Sequence, residues 1–159
     1  MDTSRLDEAI ASFVEFIHSL PADALALSKT DRWGPREVLI HLVFWHEQYA
    51  RIGEDMAAKR QPVMLRGTFK ELNRTAVAEN NSVPVETLIE RWDSAHKRFV
   101  HVAKMRNAHH LKFSLREKSK QWPMADIIRL AAGHIQNHQS DLRIALGVPK
   151  PRKSSAAAH

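Results

Sequence analysis

With 159 residues, 43% of them apolar and 26% charged, the chain has the size and core-forming surface of one ordinary domain, which excludes a multidomain machine and a disordered or collagen-like polymer. Five glycines are too few for a turn-rich β fold or a phosphate-cradling Rossmann or P-loop fold, and the lack of cysteine removes disulfides, thiolate zinc sites and a thiol nucleophile. The net charge of +6 is concentrated in Lys104, Arg106, Lys112, Arg116, Lys118 and Lys120 and in Lys150, Arg152 and Lys153, which reads as solvated surface and makes a nucleic-acid partner unexpected.

Residues 4 to 20 place Leu6, Ile10, Phe13, Val14, Ile17 and Leu20 at steps of three and four, with Ser4 and Asp7 spaced as an N-terminal cap and Pro21 as the stop. A second helix opens at Pro35, which suits a first helical turn, and runs to about Lys59 behind the stripe Val38, Leu42, Trp45, Tyr49, Ile52 and Met56. Residues 61 to 83 make a long crossover with a short helix from Phe69 to Glu79. Pro84 opens a third long helix through Leu88, Trp92, Phe99 and Val102, ending near Met105. Beyond the basic connector 106 to 122, Pro123 opens a fourth through Ile127, Ala131, Ile135, Leu142 and Ala145, which Gly147 and Pro149 stop. Four long helices predict an all-α four-helix bundle, one domain over residues 1–149, with a disordered basic tail over 150–159.

No stretch approaches the ~18 consecutive apolar residues of a membrane span, and the opening Asp2, Thr3, Ser4 and Arg5 do not read as a leader. The expectation is a cytoplasmic protein without a membrane partner.

Ten histidines is a high count, and three of them share a pattern. His134 and His138 are four residues apart on the fourth helix, on one face and beside its inward stripe. His41 sits between Val38, Leu42 and Trp45 on the apolar face of the second. Antiparallel packing of these two helices, which the long crossover permits, brings His41 to within ~5 Å of the level of His138. Three neutral imidazoles converging from facing helices can hold a divalent ion with positions left open for water and substrate, or they can form a hydrogen-bonded polar network in the core.

The other histidines carry weaker signals. His46 points away from His41, towards a cavity rim or the surface, and His96 and His101 lie on the third helix with no decided face. His109 and His110 are loop residues, and Glu47 and Asp141, adjacent to candidate residues, could orient ligands or simply be solvated. No Ser-His-Asp arrangement or paired-carboxylate motif can be read from spacing.

The segment Trp33-Gly-Pro-Arg-Glu-Val-Leu-Ile-His41-Leu, followed by Trp45-His46, resembles the second-helix signature of the DinB/YfiT-like superfamily and of its ClbS/DfsB branch. Gly133-His134-Ile-Gln-Asn-His138 is similar to the closing segment of that superfamily, and Phe69-Lys-Glu-Leu-Asn73 before Pro84-Val-Glu-Thr-Leu to the middle of ClbS/DfsB chains. The resemblance implies an up-down-down-up four-helix bundle, often dimeric, and a nickel- or zinc-type ion on His41, His134 and His138. It also implies a choice of activities, from thiol-dependent transfer and isomerisation to hydrolytic opening of a strained ring.

The expected function is therefore a metal-dependent hydrolase or thiol transferase acting on a small electrophilic molecule, as a homodimer, with a low-molecular-weight thiol as a possible cosubstrate. The alternative is a metal-free ClbS-like hydrolase or protective binding protein whose histidines and Trp45 shape the pocket, with His46 at its rim.

Overall fold

A computed structural model describes residues 1–27 and 32–151, so the expected tail lies outside the described residues from Arg152 onward. The chain is mostly helical: α1 (Ser4–Ser19), the single turn α2 (Ala22–Leu25), α3 (Pro35–Ala57), α4 (Phe69–Asn80), α5 (Val85–Ala103) and α6 (Met124–Leu146). The four long predicted helices are all there, each within about two residues of its expected ends. Among the described helices none is long and apolar enough to cross a membrane.

Prolines and a glycine set the boundaries as their chemistry dictates. Pro35 is inside the first turn of α3, while Pro84 and Pro123 stand one residue ahead of α5 and α6, where a missing N–H costs nothing. Gly147 closes α6 at φ +66, the left-handed cap a side chain would strain. The cap expected from Ser4 and Asp7 is corrected: Thr3 is the N-cap and makes no side-chain cap bond, because its hydroxyl donates to Asp7 Oδ2 at 3.2 Å and the other oxygen of Asp7 is taken by His96 on α5.

The connector between α5 and α6 is more ordered than its composition suggested. It folds through a 3-10 turn (Ala108–His110) into an antiparallel ribbon of β1 (Lys112–Phe113) and β2 (Trp122–Pro123), with Phe113 fully buried. Gly53 on α3 makes room for that ring, since a Cβ there would stand 3.3 Å from Phe113 Cζ.

Two helix pairs share the core. α1 lies along α6 in the same direction, joined by Arg5 to Gln136 and Ser12 to Gln139. α3 lies along α5 likewise, joined by His46 to His96 and Glu54 to Arg98. The pairs meet with α3 and α6 antiparallel: Tyr49 faces Leu130 and Gly133 early in α6, whereas Val38 faces Leu142 and Ala145 near its end. Edge-to-face contacts such as Phe13 to Trp92 at 5.7 Å join the layers.

Candidate metal centre

α4 is a polar helix whose main task is positional. A capping box starts it: Thr68 Oγ1 accepts from the Glu71 N–H at 3.2 Å and Glu71 Oε2 accepts from the Thr68 N–H at 2.8 Å. The start of this helix is thereby fixed, and Asn73, one turn in, is held against α3.

There the amide of Asn73 settles the protonation of His41 by elimination. The indole Nε1–H of Trp45 can only donate, and it donates to Asn73 Oδ1 at 2.7 Å. The same oxygen lies 3.1 Å from His41 Nδ1, so that nitrogen must carry the proton. The lone pair of neutral His41 is left on Nε2, which faces α6.

On α6 two further ring nitrogens meet it. His134 Nε2 is 3.1 Å from His41 Nε2 and 2.9 Å from His138 Nε2. With neutral rings these contacts cannot both be full hydrogen bonds. If His134 donates to His41 it has no lone pair for His138, and if it accepts from His138 then two lone pairs face each other across the contact with His41. A cation at the common point would satisfy all three nitrogens, and donor atoms of the three residues lie within 4.8 Å of one another. Tetrahedral imidazole ligands on zinc stand about 3.3 Å apart, so a few tenths of an ångström of opening would accommodate an ion. The residues therefore fit a divalent metal on this structure's own geometry.

The electrostatics agree with neutral rings. Burial, reinforced by the charge that His134 and His138 would carry, pushes the pKa of His41 down to about 3. Burial and then His138 push His134 down to about 4. His138 is also lowered by burial, with the carboxylate of Asp141 opposing the shift. Neutral imidazole, the form that ligates, is thus the state of the cluster at pH 7.

Two openings reach the cluster. His134 adjoins a cleft of about 670 Å³ between α6, Tyr49 and Trp122, and His138 adjoins another of about 430 Å³ beside Trp33 and Asp141. Trp33 also packs on His41, ring centres 5.1 Å apart.

The other predicted site residues fall elsewhere. Trp45 is 4% exposed and lines neither opening; it acts from behind, through Asn73, flanked by Phe44 and Phe69. His46 is corrected from rim or surface to core: it is 1% exposed among Tyr49, Trp92 and Phe99, and its Nε2 meets His96 Nδ1 at 3.1 Å. His96 in turn reaches Asp7 at 2.8 Å, so the face left undecided in the sequence is turned inward. Glu47 does not orient a ligand, because Arg91 takes both of its oxygens at 2.8 Å. His101, His109 and His110 are exposed.

Sequence reasoning did not single out Asn73 as a site residue. Its only signal was a place in the short Phe69-Lys-Glu-Leu-Asn73 motif.

A comparison with curated proteins finds no match. Among solved structures the fold is similar to an uncharacterised protein from Escherichia coli UTI89, with a TM-score of 0.69 at 11% identity over 88% of this chain and 87% of that one. At that identity the likeness speaks for the fold alone. In sequence, residues 5–142 match the DinB superfamily, a span that runs from α1 past both histidines of α6; the chain belongs to that superfamily.

Proposed function

We propose that the protein is a metal-dependent enzyme, a hydrolase or a thiol transferase, acting on a small electrophilic molecule at a nickel or zinc ion held by His41, His134 and His138. The observation that carries this reading is the convergence of three Nε2 atoms that cannot all be satisfied by protons. The superfamily membership supports it, as does the pairing of parallel α1 and α6 with parallel α3 and α5, which suits an up-down-down-up bundle of ClbS/DfsB type. A divalent ion would supply the charge that acidifies water or a thiol at neutral pH. The chain supplies the rest: Asn73 sets the His41 tautomer, α3 and α6 bury His41 between them, and a cleft beside His134 or His138 admits a small molecule. A homodimer, which the ClbS/DfsB resemblance implies, belongs to the same reading, and a light-scattering mass of 18 kDa would rule it out.

A second reading has its own observation. Separations of 2.9 and 3.1 Å are hydrogen-bond lengths, which suits a metal-free hydrolase or protective binding protein in which the rings share protons. Elemental analysis of protein purified without a histidine tag or chelating resin separates the two. Near-stoichiometric nickel or zinc supports the first, and none after metal supplementation leaves the second.

A further inference from the structure

Gly133 sits in the interior of α6, immediately before His134, where glycine is the poorest helix former after proline. The usual reasons for a helical glycine are absent: its φ is not left-handed, and a Cβ built on it would have no neighbour within 4 Å. Gly53 shows the contrast, since there the Phe113 ring already occupies the space. The emptiness beside Gly133 is the floor of the cleft that opens on His134.

The walls of that cleft state a chemistry. Tyr49, Leu130 and Trp122 are apolar surfaces, and the Tyr49 hydroxyl is kept protonated by burial, its pKa raised to about 12. Arg129 stands at the rim, paired through one nitrogen with Asp126 and otherwise open, its side chain 72% exposed. One cation, Arg129, meets one carboxylate, Asp126, so the two balance. Three neutral imidazoles would leave the charge of a divalent ion uncompensated, so the cleft with its ion in place favours an anion, which the exposed guanidinium of Arg129 can meet at the rim.

We propose that the cleft floored by Gly133 is the ligand chamber of the three-histidine site, and that it takes a small anionic molecule whose apolar body lies over Gly133 between Tyr49 and Trp122 while its charge meets Arg129. The assignment rests on the metal-site reading for what the ligand is brought to, but the cleft and the guanidinium at its rim belong to this chain's own side chains.

The test uses 4-phenylbutanoate and the neutral 4-phenylbutan-1-ol, titrated calorimetrically into the full-length protein, with metal content measured on the same samples. The acid binds at least about tenfold more tightly than the alcohol, the scale of one charge-assisted contact. Gly133→Leu weakens both probes about tenfold or more by filling the floor, with metal content maintained and thermal stability not lowered, since a Cβ there meets no neighbour within 4 Å. Arg129→Gln reduces the preference for the acid several-fold and leaves the alcohol unchanged. Ala145→Leu, beside the other opening, leaves both probes bound as before. The proposal falls if neither probe binds the parent, if the alcohol binds as well as the acid, if Gly133→Leu binds like the parent, or if Ala145→Leu is the variant that blocks binding. A parent that carries no metal yet shows the Gly133 and Arg129 effects overturns the metal reading and keeps the chamber.

Discussion

Asn73 Oδ1 accepts a hydrogen bond from His41 Nδ1 across 3.1 Å, and this bond leaves the lone pair of His41 on Nε2, the nitrogen that faces His134. Replacing Asn73 with alanine removes that bond and strands the Trp45 N–H. Partners of this kind are typically worth about 10- to 100-fold in metal affinity, so Asn73→Ala should lose metal to a chelator by about that factor while helicity persists. Asn73→Asp keeps an acceptor and should hold metal like the parent. Equal retention in the parent and Asn73→Ala would show that the bond has no bearing on the site.

The second prediction concerns the ligands themselves. His134→Ala should lose the ion and any activity but remain helical, because the surrounding core is built from residues such as Phe13, Trp92 and Phe99. His109→Ala, at an exposed position in the 3-10 turn, should keep the metal. Circular dichroism and metal analysis of the two variants check this. If His134→Ala retains its ion as firmly as the parent, the three rings are not the site.

A pH dependence follows from His46, which burial and then the His96 charge hold at a pKa of about 3. Above pH 6.5 the folded and unfolded chains both keep it neutral. Below that value the unfolded chain takes up a proton that the folded chain refuses until about pH 3, so stability falls as pH drops across this window. The loss is up to about 1.4 kcal/mol per pH unit for each such group, and His41 and His134 act in the same direction. Urea unfolding with chelator present should show a lower midpoint at pH 5 than at pH 7.5. His46→Gln should flatten the slope by about one proton; an unchanged slope would mean that His46 is not the group refusing the proton.

The two helical glycines should part company. Gly133→Ala should stabilise the fold by about 0.5–1 kcal/mol, the ordinary gain of alanine in a helix. Gly53→Ala should gain less or lose, because its methyl group presses on Phe113. Thermal unfolding of both variants measures the difference, and equal gains would remove the packing account of Gly53.

The sequence carried the long helices because their apolar residues recur at helical period and their prolines mark the starts. The pair His134 and His138 was readable for the same reason, one turn apart on one face. His46 was misplaced although its direction was right: it does point away from His41, but α3 has α5 on that side, so both faces of this helix are interior. Periodicity on one helix cannot report a second neighbour. Asn73 was harder still, since an amide on a polar helix breaks no pattern and gains its meaning from Trp45 and His41, each about thirty residues away.

The helix that carries Asn73 is also the least anchored of the longer ones, with Ala76 its one fully buried residue. Hydrogen exchange should find α4 opening well below the free energy of global unfolding, as a small cooperative unit of its own. Each opening releases the amide from His41 and lets that ring exchange tautomers. An ion held by the three imidazoles would then be expected to leave faster wherever this twelve-residue helix is loosened, although α4 itself supplies no ligand.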